Sequence, residues 1–103
     1  MTDMTTVRFY GHDCTVHVTR YTQPPNVAIQ LRCEDGAPMA TASFNPDFLL
    51  PEGTVAIKTW SENAGIDALL LEAGIIGPFL GAIPAGYSAG SLHHLLIKEN
   101  DDD

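Results

Sequence analysis

The chain has 103 residues, with five Lys+Arg against 13 Asp+Glu and a formal net charge of −8 at pH 7. That length bounds a single domain, and a composition 45% hydrophobic and 17% charged excludes a disordered chain and a coiled coil. The acid excess argues against direct nucleic-acid binding, which needs clustered Lys and Arg to neutralise phosphates, and against docking on an anionic membrane.

Half of that charge sits at one end. Glu99, Asp101, Asp102 and Asp103 form an acidic run, leaving nine acids against five bases in residues 1–98. The expected organisation is one domain over 1–98 and a solvated acidic tail over 99–103. The stretch Met1 to Arg8 is polar and lacks an apolar signal core. Ala68 to Ala85 is broken by Glu72, several glycines and two prolines, so it does not read as a membrane span. With only Cys14 and Cys33, the chain reads as a cytoplasmic protein rather than a disulfide scaffold.

The first 44 residues predict strands at Thr6 to Tyr10, Cys14 to Tyr21, Val27 to Glu34 and Met39 to Phe44, rich in β-branched and aromatic residues with alternating polarity. A two-residue turn at Gly11-His12 would set Phe9 opposite Cys14 and Val7 opposite Val16. A loop over Thr22 to Pro25 sets Val18 opposite Ile29, Val16 opposite Leu31 and Cys14 opposite Cys33. A turn at Asp35-Gly36 sets Leu31 opposite Ala40, Ile29 opposite Ala42 and Val27 opposite Phe44. All three registers put Val7, Phe9, Val16, Val18, Val27, Ile29, Leu31, Ala40, Ala42 and Phe44 on one face.

A sheet with one apolar face needs a cover. Thr54 to Trp60 reads as a fifth strand. Ser61-Glu62-Asn63 then opens a helix, with Ser61 as cap and Ile66, Leu69, Leu70 and Ala73 as its apolar stripe. Gly74 suits the position just past the helix. Ile75 to Gly90 reads as a long apolar loop, and Ser91 to Lys98 as a last strand. The expected fold is α+β: an antiparallel meander of five to six strands whose buried face is covered by a single helix.

The chemistry-bearing residues are sparse. His12, Cys14, His93 and His94 have no metal-ligand spacing, and adjacent strand residues point to opposite faces. Ser88 and Ser91 lack a nucleophile-elbow motif, and the glycine-rich Ala85 to Gly90 lacks the lysine of a phosphate loop. No catalytic residue, metal or cofactor is therefore assigned. Cys14 and Cys33 read as two small buried thiols, with a cross-strand disulfide as the alternative.

The runs Ile57-Lys58-Thr59-Trp60-Ser61-Glu62-Asn63-Ala64-Gly65, Leu69-Leu70-Leu71-Glu72-Ala73-Gly74-Ile75-Ile76 and Pro84-Ala85-Gly86-Tyr87 resemble a family of small uncharacterised proteins of phages, plasmids and other mobile elements. Ala42-Ser43-Phe44-Asn45 and Pro51-Glu52-Gly53 fit its lead-in. The resemblance carries no catalytic residue. It implies a small accessory protein that binds and inhibits a host protein or defence complex with a basic surface, as an anti-defence inhibitor does. Exposed aromatics are common contact residues, and Trp60, Glu62, Asn63, Phe79 and Tyr87 are the expected binding residues, although capping is an equal reading for Glu62 and Asn63. Two alternatives stand beside it. One is a small-ligand binder or enzyme using residues 77–90 with His93 or His94. The other is a homodimer or larger self-assembly burying Ile75 to Ile83.

Overall fold

A computed structural model describes residues 5–99. In chain order these form β1 (Thr6–Phe9), β2 (His12–Arg20), β3 (Val27–Arg32), β4 (Pro38–Thr41), β5 (Thr54–Ile57), a 3₁₀ turn (Ser61–Asn63), α1 (Ile66–Glu72), β6 (Ile76–Ala85) and β7 (Ser88–Leu95). The α+β class holds. The single five- to six-strand meander does not: among the described residues there are seven strands in two antiparallel sheets, ordered β1-β2-β3-β4 and β5-β7-β6.

The inner register of the first sheet is the one the loop over Thr22 to Pro25 predicts. Val16 faces Leu31 and Val18 faces Ile29, while Leu31 faces Ala40. The β3–β4 turn is wider than two residues. Gly36 (φ 87°) donates to Cys33 O, and Cys33 N–H donates to Ala37 O, which leaves a three-residue loop with glycine in the left-handed position. The ladder then regains register at a bulge between Leu31 and Arg32.

The β1–β2 register differs from the predicted one by two residues. Phe9 faces His12 and Val7 faces Cys14, because Tyr10 (φ 51°) and Gly11 (φ 79°) form the turn. A two-residue slip preserves the side-chain parity, so Val7, Phe9, Val16, Val18, Val27, Ile29, Leu31 and Ala42 are all buried together. Phe44 leaves that face. Its N–H donates to Ala56 O, and its ring packs with a second cluster of Leu50, Ala56 and Ile83.

The two sheets meet along a seam. Ala42 N–H donates to Ile29 O at 2.8 Å while Ala42 O accepts Lys58 N–H at 2.7 Å, and Ser43 bridges Ile57. The Ser43 hydroxyl lies 2.9 Å from the Tyr21 hydroxyl and accepts the Ile29 N–H, also at 2.9 Å. Val55, Ile57, Ile75 and Ile76 of the second half thus join the same core as the first sheet. The cover for the apolar face is a sheet plus a helix, rather than a helix alone.

The helix is shorter than its pattern suggested. Ser61 (φ 58°) opens only the 3₁₀ turn, and α1 starts after Gly65 (φ 90°), with no side-chain cap at either start. Burying Ile66 and Leu70 stabilises it by about 1.5–3 kcal/mol each. It ends in a Schellman motif, with Gly74 N–H donating to Leu71 O and Ile75 N–H to Leu70 O. α1 contacts the outer strands β1 and β6, so it closes the side of the roll opposite the seam.

The apolar segment read as a long loop over Ile75 to Gly90 is instead strand β6 and the start of β7, joined at Gly86-Tyr87 with Ala85 opposite Ser88. The fifth strand ends at Ile57, and the last begins at Ser88. Glu99, assigned to the tail, is held by Arg20, whose Nη2 lies 2.6 Å from Glu99 Oε2. Residues 100–103 of the expected tail and residues 1–4 lie outside the described residues. Among the described residues, no helix is long and apolar enough to cross a membrane.

Candidate functional surface

The five expected contact residues fall into three settings. Trp60 and Glu62 belong to one cluster beyond β5. The half-buried Trp60 ring stands edge-on to Phe44, with centroids 5.3 Å apart, and Lys58 Nζ sits 5.8 Å from the Trp60 ring centroid. Lys58 also pairs with Glu62 at 3.1 Å, and the Tyr10 hydroxyl donates to Glu62 O. A hydrogen bond from its own backbone N–H, followed by Lys58, holds the Glu62 carboxyl below its usual range. Asn63 is interior, 1% exposed. Its Nδ2 donates to Thr41 O at 2.7 Å, which ties the 3₁₀ turn to β4 and leaves no surface for a partner.

Phe79 and Tyr87 lie on the β6–β7 hairpin. Tyr87 is fully exposed at the turn, and Phe79 is 61% exposed five pairs further along, next to Leu80 at 47%; Leu96, just past the end of β7, is 58% exposed. The hairpin end approaches the Trp60 cluster, since Thr59 Oγ1 donates to Ala89 O. Trp60, Glu62 and the Tyr87 turn therefore share one end of the molecule, and Phe79 sits toward the other end of the hairpin.

One signal on this surface was readable in the sequence and passed over. Between Glu72 and Lys98 there is no Asp, Glu, Lys or Arg. β6 is also an outer strand of its sheet. Exposed outer strands are normally shielded by charged side chains, and here only Pro78 and Pro84 interrupt the backbone donors.

His93 and Ser91 make the most enzyme-like contact. Ser91 Oγ lies 2.8 Å from His93 Nε2, and His93 Nδ1 lies 2.7 Å from Gly77 O. The carbonyl can only accept, so Nδ1 carries the proton and Ser91 donates to Nε2. Both side chains are buried, and the pair works as a satisfied polar bridge from β7 to β6. His94, one residue on, is exposed. Among the described residues no three His, Cys, Asp or Glu side chains converge as a metal site.

Two concavities lie elsewhere. One of about 420 Å³ is lined by Arg8, Gly11, His12, Asp13, Cys33, Glu34 and Asp35, with Arg8 and Asp13 paired at 2.8 Å across it. The other, about 250 Å³, runs from Arg20 and Asn26 to Leu49, Glu52 and Thr54. Neither includes Ser91 or His93.

Comparison with protein-family models, with curated proteins and with solved structures finds no match to this chain.

Proposed function

We propose that this chain is a non-catalytic binding protein that acts by occupying a partner's surface, with the β6–β7 hairpin as its contact element. The observation that carries this reading is the hairpin itself: an outer strand without charged side chains that displays Phe79 and Leu80, with Tyr87 at the turn. Exposed apolar and aromatic side chains along one element supply the desolvated part of an interface, while the acids elsewhere on the chain favour a basic partner. The likeness to accessory proteins of mobile elements supports a host protein or defence complex as that partner, with inhibition as the outcome.

The reading is tested by retention from a host extract, with the wild-type chain, Phe79→Asp/Leu80→Asp, Tyr87→Ala and the distant surface variant Thr22→Ala as baits. A protein retained by wild type and Thr22→Ala but lost by the hairpin variants supports it. Equal retention by all four, or none by any, sinks it. A second reading uses the same strand: pairing of β6 with β6 of another copy, which an outer strand without charged side chains favours. Sedimentation at micromolar concentration separates the two, because a monomer excludes the self-pairing.

A further inference from the structure

The geometry points to Cys14 and Cys33 as a reversible dithiol–disulfide pair, oxidised at the half-buried Cys33 by a small-molecule disulfide.

The placement comes from the ladder. β2 and β3 pair through Thr15 opposite Arg32, and one further step sets Cys14 opposite Cys33. Antiparallel pairs alternate between hydrogen-bonded and open positions. Tyr21 N–H donates to Asn26 O, so counting back in twos makes Thr15–Arg32 a bonded pair and Cys14–Cys33 an open one. Cys33 confirms the parity, since its N–H turns away from β2 to Ala37 O. Open pairs bring Cα atoms to ~4.5 Å with side chains close, inside the ~4.4–6.8 Å span that a disulfide bridges. Both side chains share the face of Val16 and Leu31. Cys33 Sγ lies 3.8 Å from Met39 Sδ, and Met39 packs on the main core.

The two thiols differ in access. Cys33 is half-buried and lines the 420 Å³ cavity. Cys14 is 1% exposed, and burial, with a smaller contribution from the neighbouring Cys33, pushes its thiol up from the usual value. Cys33 is therefore the attacking group. Its thiolate displaces one thiolate from the reagent disulfide and forms a mixed disulfide. Cys14 then gives up its proton to solvent and attacks Cys33 Sγ, releasing the second thiolate. Two protein thiols are oxidised to one disulfide, and one reagent disulfide is reduced to two thiols.

The test equilibrates the full chain in native buffer with mixtures of reduced and oxidised glutathione, quenches with acid, alkylates with N-ethylmaleimide and reads intact mass. The expected product is a monomer lighter by two hydrogens that takes up no maleimide and returns to the dithiol with dithiothreitol. Cys14→Ser should stop at a glutathione adduct on Cys33. Cys33→Ser should leave Cys14 unmodified until the chain is denatured. A wild-type chain that stops at the glutathione adduct, stays fully reduced in excess oxidised glutathione, or forms a disulfide-linked dimer overturns the proposal. If a serine variant fails to fold by circular dichroism, the wild-type mass and its reversal decide alone.

Discussion

Ser91 donates its hydroxyl proton to Nε2 of His93, while Nδ1 of the same ring is engaged by the Gly77 carbonyl 2.7 Å away. Every polar atom of this buried ring is thereby satisfied, and the ring itself spans from β7 to β6. Removing one partner leaves a buried acceptor without a bond, which costs about 1–3 kcal/mol. Ser91→Ala should destabilise the fold by that amount in urea unfolding. A fluorophosphonate reagent should leave Ser91 unlabelled in the folded chain, since the hydroxyl is buried and borders neither concavity.

Gly90 and Gly81 lie on paired strands of one hairpin yet should respond in opposite ways to the same substitution. A Cβ at Gly90 would run into the Phe44 ring edge and the Ile57 carbonyl oxygen, whereas nothing lies within 4 Å of one at Gly81. Gly90→Ala forces the seam apart, and overpacking of this kind costs about 1–3 kcal/mol. Gly81→Ala should fall within about 0.5 kcal/mol of wild type. Thermal unfolding of the two variants side by side checks the contrast.

His17 gives the fold a pH dependence of definite sign. Burial, followed by the charge of Arg32, lowers its pKa from the ordinary 6.5. A histidine depressed in the folded state contributes stability that is fully present above the unfolded value and is lost as pH falls through the folded one. Stability should therefore decline on acidification from just above pH 6.5, and His17→Gln should flatten that part of the profile. The depressed Glu62 carboxyl acts in the same direction at lower pH, below its ordinary 4.5. Urea midpoints measured across this range, with and without His17→Gln, show whether the slope belongs to it.

Asn26 holds the loop between β4 and β5 by three bonds. Its Nδ2 donates to Asn45 Oδ1 at 2.9 Å and to Phe48 O at 3.0 Å, and its Oδ1 accepts Leu50 N–H at 2.8 Å. Asn26→Ala strands buried backbone groups, so a loss of about 2–3 kcal/mol is expected. Asn26→Asp retains the acceptor and loses both donations, and it should fall between alanine and wild type. Hydrogen exchange at the Leu50 amide reads the local effect directly.

The middle of the first sheet was legible because the loop over Thr22 to Pro25 fixes which residues face each other, and the alternation over Val16, Val18, Ile29 and Leu31 agrees with that register. The turn at its edge was not. Gly11-His12 and Tyr10-Gly11 bury the same side chains, and the difference lies in Tyr10 accepting a positive φ, which no side-chain pattern records. The β6 strand was hidden for another reason. Its Gly and Pro content reads as loop punctuation, but Pro78 sits where the register shifts between Ile76 and Phe79, and the strand is an outer one, a place where proline is tolerated. Of the expected contact residues, Phe79 and Tyr87 were chosen as aromatics in excess of the core, and both are exposed. Asn63 was misplaced outward because its bond to Thr41 is a contact between residues distant in the chain.

The seam between the sheets also gives the molecule a built-in optical reporter. Trp60 is its single tryptophan, and its ring meets Phe44, the residue that lies against Gly90 where β5 and β7 run together. Any event that parts the two sheets must move Phe44 and change the surroundings of this one indole. Tryptophan emission thus follows a defined joint of the fold rather than an average over the chain, and the joint adjoins the hairpin end at which Tyr87 is displayed.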